Sequence, residues 1–237
     1  MLPDLDGPGG NVNNGTESFG CSMEHEYVQR QSTLNGVNAA STWVWDMTIL
    51  LDYLESLPEI DSKKLGVAGC SGGGVQSAYL GSIDERLVAA SIACYTSTLT
   101  VDYAPSTGLS FIGGGGPAEG EQQWGPWVGA GQGLDKPDLL TIRAPNPTQV
   151  LLTTRDQYFP LVGGQAAFDE AKPAFEALAP KGSSPALTLT VANNSHGYIN
   201  ATRVALYAFF TKHLLGTVDS GVEMQQARYF DFDEGQR

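Results

Sequence analysis

Between Asn38 and Leu57 the apolar residues Trp43, Met47, Leu50, Leu54 and Leu57 follow one another at steps of three and four. That spacing predicts one helix with a single buried stripe, closed by Pro58 and Asp61. The period then shortens. Leu65 to Ala68 reads as a short apolar strand, followed by Gly-Cys-Ser-Gly-Gly at 69–73 and a helix from Val75 to Leu80. Leu87 to Tyr95, Val150 to Thr154 and Leu187 to Ala192 are three further strand-like runs. A helix from Ala166 to Ala179, interrupted by Pro173, and an amphipathic helix from Ala201 to Leu215 complete the series. Strands that alternate with helices predict an α/β protein with a doubly wound, mostly parallel sheet.

Two regions break the pattern. Residues 96–148 are polar and glycine-rich, and an excursion of that length predicts a lid or binding element, or else a disordered segment. Trp124 and Trp127 within it offer flat rings on which a sugar or acyl group could pack, or else pin the loop to the body. Residues 217–237 form an acidic, aperiodic tail. The organisation expected is one domain over residues 1–216, with 96–148 as an insertion, followed by the tail.

At 237 residues the chain can enclose a three-layer core, and its 41% hydrophobic and 16% charged content suits a loop-rich globular domain. A net charge of −13 argues against nucleic acid or an anionic membrane surface as partner, and favours neutral substrates over polyanions. No apolar run reaches the length of a membrane span, and Met1-Leu2-Pro3-Asp4 is not the start of a signal peptide. Cys21, Cys70 and Cys94 lack metal-ligand spacing. Cys70 and Cys94 are placed at the ends of adjacent strands, most simply as buried small apolar residues; a disulfide beside the elbow is the sharper alternative, and belongs to an oxidising compartment. Glu24-His25-Glu26 is adjacent spacing that a helix would spread over different faces, so it reads as a solvated turn or a partner of Arg30 rather than a metal site. No metal or cofactor is expected.

The run Gly69-Cys70-Ser71-Gly72-Gly73 has the G-x-S-x-G spacing of a nucleophile elbow, a pattern weak alone and strengthened by the strand before it and the helix after it. Gly69 and Gly73 are expected where strand and helix pass closest, with a strained backbone at Ser71. The Gly72 N–H, at the positive end of the following helix, is a candidate oxyanion donor. A serine hydroxyl needs a base to take its proton. His196 sits just past the last strand, and Asp156 just past the strand before it. Ser71, Asp156 and His196 thus run in the order nucleophile, acid, base, all at carboxyl ends of strands, where open α/β sheets bind ligands. Asp169 and Glu170 are fallback acids, disfavoured by lying within a helix.

Several segments carry a resemblance: Tyr27-Val28-Gln29-Arg30-Gln31, Val44-Trp45-Asp46, Gly69-Cys70-Ser71-Gly72-Gly73-Gly74, Ala118-Glu119-Gly120-Glu121-Gln122, Thr154-Arg155-Asp156-Gln157-Tyr158-Phe159 and Ser195-His196-Gly197-Tyr198. Over residues 20–216 the chain resembles the bacterial acetyl xylan esterase-like branch of the α/β-hydrolases. The resemblance implies a serine carboxylesterase acting on small acyl esters such as acetylated plant polysaccharide, with Ser71, Asp156 and His196 as the triad, and members that are often exported. It also implies strands and an oxyanion loop upstream of Met1, so the expected fold is an α/β-hydrolase sheet without its N-terminal strands. Such a sheet has an exposed edge, which a second copy could cover, and a weakened oxyanion hole. A serine peptidase on the same fold and a non-catalytic interaction module are the competing readings.

Overall fold

The computed structural model describes Ser32 and residues 34–37, 39–102 and 133–217. Cys21, the Glu24-His25-Glu26 cluster, Trp124, Trp127 and the tail beyond Thr217 lie outside the described residues.

Four parallel strands lie side by side in chain order: β1 (Leu65–Cys70), β2 (Leu87–Ala93), β3 (Thr148–Arg155) and β4 (Leu187–Ser195). Parallel neighbours cannot be joined by a tight turn, so helices make each crossover. Helix α1 (Ala39–Ser56) leads into the sheet, α2 (Gly72–Ile83) joins β1 to β2, and α5 (Leu161–Leu178) joins β3 to β4. The β2–β3 connection includes the short helices α3 (Leu99–Asp102) and α4 (Lys136–Thr141), and α6 (Asn200–Leu215) follows β4. Among the described residues β1 is an edge strand.

The period of two along β3 explains the layers. Val150 and Leu152 face a core built with Val75 and Ala78 of α2, Leu140 of α4, and Ala171 and Phe175 of α5. Leu151 points the other way, against Ala205 and Leu206 of α6. Gln149 shares that second face, and its amide donates to the Ala205 carbonyl at 3.1 Å. Both faces of β2 and β3 are covered, which is why these strands read as nearly unbroken apolar runs rather than alternating ones.

Helix α1 departs from the expected stripe. Its buried positions are Ala40, Val44 and Leu51, flanked by the partly buried Met47 and Leu54. Leu50 is half exposed and Leu51 takes its place, because a helix face is set by the packing of Val44 and Leu51 on Leu65, Leu80 and Leu87. Pro173 does not interrupt α5. It lies on the solvent side, where water can take the carbonyl that loses its N–H partner. Of the stretch 96–148, only the two ends are among the described residues. Residues 96–102 and 133–147 pack onto the body, Asp135 caps α4 through the Lys136 N–H, and the Asp135 carboxylate also accepts the Leu99 N–H at 2.9 Å.

Arg86, in the turn before β2, joins this turn to α1. Its guanidinium donates to Asp84 at 2.7 and 2.9 Å, to Asp52 at 2.6 Å and to Glu55 at 2.8 Å. The hydrogen bond from Arg86 holds the Asp84 carboxyl below its usual range against the opposing effect of burial. A carboxylate whose folded pKa is depressed adds stability above its unfolded value, near pH 4, and loses it as pH falls through the folded one. Arg86→Met is therefore expected to lower unfolding free energy by about 1 kcal/mol at neutral pH. In denaturant titrations the gap between variant and wild type should close below about pH 4.

Candidate active site

The elbow forms where β1 hands over to α2. Ser71 stands between them at φ 60°, ψ −122°, a backbone conformation that non-glycine residues rarely adopt. Its N–H donates to the Ala93 carbonyl at 3.1 Å and its carbonyl accepts the Val75 N–H at 2.9 Å, so the strain is held from both sides. A Cβ on Gly69 would land on the Gly73 backbone, and one on Gly74 would land on the Ala93 carbonyl. The space at Gly73 itself is open, so Gly74 rather than Gly73 is the second position that must stay bare. Gly72 opens α2, with its N–H among the unpaired donors of the helix start.

The other half of the site lies past β3 and β4. The His196 Nδ1 is 2.9 and 3.0 Å from the two oxygens of Asp156. Asp156 is only 2% exposed at its side chain and His196 14%. One Asp156 oxygen also accepts the backbone N–H groups of Tyr158 and Phe159, both at 2.9 Å. This carboxylate is thus fixed by its own turn before it meets the imidazole. A carboxylate at Nδ1 accepts the proton there, which leaves Nε2 as the basic nitrogen. Tyr158 stands edge-on to the imidazole at 4.8 Å between centroids and Phe159 lies tilted at 6.0 Å.

A disulfide lies where the two halves meet. Cys70, the residue before Ser71, is bonded to Cys94, with Cα atoms 5.0 Å apart. The Cys94 sulfur, one Asp156 oxygen and one His196 nitrogen all lie within 4.8 Å of one another. The simpler expectation of two buried free thiols is therefore corrected: the two strand ends are close enough for the sulfurs to bond. That trio is also the one grouping of metal-ligating side chains among the described residues. Its sulfur is used in the disulfide and its carboxylate by the imidazole, so it is not a ready ligand set.

The remaining candidates are placed as follows. Asp169 and Glu170 are exposed on α5, and Asp169 accepts a hydrogen bond from Gln165 instead. His213 packs its ring at 4.7 Å on Phe209 near the end of α6, and burial together with Lys212 pushes its pKa down. Behind the site, Lys136 and Asp102 form a buried ion pair at 2.6 Å that nothing in the sequence pattern marked. The Lys136 Nζ lies 4.7 Å from the centre of the Tyr95 ring and 5.1 Å from that of Phe159. Phe159 therefore neighbours both an ammonium and the imidazole. Tyr198 packs under Cys94, and burial pushes its phenol up to about 12, so it stays protonated at any ordinary pH.

Residues 28–97 match the family model described as glucuronyl esterase, fungi. The match takes in β1, the elbow and β2, but neither Asp156 nor His196. Within the same theme, 63 residues are 30% identical to the 4-O-methyl-glucuronoyl methylesterase of Cerrena unicolor, covering 26% of this chain and 13% of that protein. The glucuronoyl esterase catalytic domain of Hypocrea jecorina superimposes with a TM-score of 0.57 at 24% identity, over 82% of this chain and 58% of that one. A glucuronoyl esterase mutant from Sporotrichum thermophile, solved in complex with methyl 4-O-methyl-β-D-glucopyranuronate, does so with a TM-score of 0.57 at 17% identity, over 77% and 53%. The fold is that of an α/β-hydrolase.

The chain spans little more than half the length of these two α/β-hydrolase structures. The fold expected from the sequence is upheld by them. The serine esterase side of the expected resemblance agrees with these matches, which are described as glucuronyl or glucuronoyl esterases rather than acetyl xylan esterases.

Proposed function

We propose that this chain is a serine carboxylesterase that cleaves esters of a uronic acid, glucuronoyl esters first among them, through an acyl-enzyme. The observation that carries the reading is the part-buried His196–Asp156 pair beside Cys94, which is bonded to the residue before Ser71. The Ser71 oxygen attacks the ester carbonyl while His196 Nε2 takes its proton, and Asp156 stabilises the imidazolium. The Gly72 N–H, at the start of α2, receives the charge that builds on the carbonyl oxygen. The imidazolium then protonates the leaving alcohol, the C–O bond breaks, and water repeats the sequence on the acyl-serine.

The family match over the elbow and the ligand in the Sporotrichum thermophile complex support a uronate as the acyl part. The net charge of −13 is consistent with this direction of reaction. A methyl glucuronate is neutral, whereas the product carboxylate is repelled by the protein that made it. Acetyl esters, in which the sugar is the alcohol rather than the acid, are the second reading, kept by the motif resemblance. Trp124 and Trp127 would serve either as a carbohydrate wall.

Side-by-side turnover of benzyl glucuronate and p-nitrophenyl acetate decides between them. The proposal expects higher kcat/KM on the glucuronate ester and none on either with Ser71→Ala. Preference for the acetate would move the assignment to acetyl esters, and Ser71-independent turnover would remove it.

A further inference from the structure

We infer that the Cys70–Cys94 disulfide is a positioning element of the active site, setting the elbow against the His196–Asp156 pair. The inference rests on the serine esterase reading above and adds to it a covalent part of the machinery. Three observations point to it. Cys70 immediately precedes Ser71, so its sulfur is anchored one residue from the nucleophile. Cys94 sits just past β2 with φ 53°, and it and Ser71 are the two non-glycine residues with positive φ among the described residues. The strained backbone thus lies at Cys94 itself and one residue past Cys70. The β1–β2 pairing ends at Cys70–Ala93, and beyond it single backbone hydrogen bonds, from the Ser71 N–H to the Ala93 carbonyl at 3.1 Å and from the Cys94 N–H to the Leu151 carbonyl at 3.2 Å, are what the bridge reinforces. Finally, the Cys94 sulfur lies within 4.8 Å of both the Asp156 carboxylate and the His196 ring.

The parallel ladder fixes how β1 and β2 lie, and would keep the sheet folded without the bridge. What the ladder does not fix is how the side chains pack at the rim beyond the last paired residues. The bridge ties the ends of β1 and β2 covalently and meets the Asp156–His196 pair by contact, through the Cys94 sulfur. Displacements of about 1 Å in such an arrangement lower turnover by around a hundredfold. A dithiol reductant offers a second way to open the bridge. It attacks one sulfur, the S–S bond breaks, and a second attack releases both cysteines as thiols while the reductant becomes a cyclic disulfide.

The test compares wild type with Cys70→Ala/Cys94→Ala on one ester, with active sites counted by a fluorophosphonate so that turnover is expressed per reactive serine. Positioning predicts a fall in kcat of about ten- to hundredfold per titrated site with KM within about twofold, at temperatures where circular dichroism shows both proteins folded. Loss of titratable sites with unchanged turnover at those that remain would mean that the bridge serves stability only, and would overturn the inference. If the double variant does not fold, folded wild type treated with dithiothreitol replaces it, with two thiols per chain released from the bridge as the check. The same fall in kcat is expected, and its absence has the same meaning. Wild type that neither turns over esters nor reacts with the fluorophosphonate would instead remove the esterase reading, and this inference with it.

Discussion

Asp156→Asn is expected to lower kcat by about three to four orders of magnitude on any ester the protein accepts, with the chain still folded. The reason lies in proton bookkeeping at one nitrogen. Asp156 meets His196 Nδ1 with both oxygens and already accepts the Tyr158 and Phe159 N–H groups. An asparagine in that turn keeps its single oxygen on the two backbone donors and turns its NH₂ toward the ring. An amide donor there requires Nδ1 to be the acceptor, which moves the ring proton to Nε2 and removes the base. KM should change little, because no substrate contact is lost, and Asp169→Asn on the exposed face of α5 should change neither constant. Steady-state kinetics on the three proteins checks this; a drop of less than tenfold in Asp156→Asn would show that another group orients the imidazole.

The second large effect concerns stability. Lys136→Met is expected to lower unfolding free energy by about 3–5 kcal/mol, since it leaves the Asp102 carboxylate buried without its partner. Asp102 is the worse group to strand. Its side chain is 0% exposed and its second oxygen has no hydrogen-bond partner among the described residues. For a chain of this size that loss corresponds to a fall in Tm of about 10 °C. Lys136→Met/Asp102→Leu should recover most of it, as replacement of a buried ion pair by apolar residues is often neutral. Thermal unfolding of the two variants beside wild type measures both. A double variant no better than the single would mean that the pair is held by more than its own attraction. Activity is expected to drop in Lys136→Met even where it is folded, because the ammonium packs against Phe159 and Phe159 against the His196 ring.

These sites differ in how far the chain announced them. The elbow is legible because its chemistry is local: strand, tight turn and helix are consecutive, and Gly69 is required by backbone contact rather than by distant packing. Asp156 and His196 are legible for a similar reason, since each lies directly past a strand, and a parallel sheet brings such ends to one rim. Leu50 and Leu51 are not separable by period alone. Both fit an apolar stripe, and only the neighbours on α2, β1 and β2 decide which turns inward. The Lys136–Asp102 pair left no trace because its two residues stand 34 positions apart within the polar excursion. Charged side chains in such a stretch read as solvated until tertiary contact buries them. Cys70 and Cys94 sit between these cases. Their strand-end positions follow from the pattern, but whether two sulfurs bond depends on a Cα separation that no sequence states.

The central claim is that Ser71 is made reactive by His196 steadied by Asp156. Peptide mass mapping after treatment with a fluorophosphonate tests it most directly. Stoichiometric phosphonylation of Ser71 in wild type, abolished in Ser71→Ala and slowed by at least about a hundredfold in His196→Ala, is the predicted result. Modification of a different residue, or of Ser71 at an unchanged rate without His196, would contradict it.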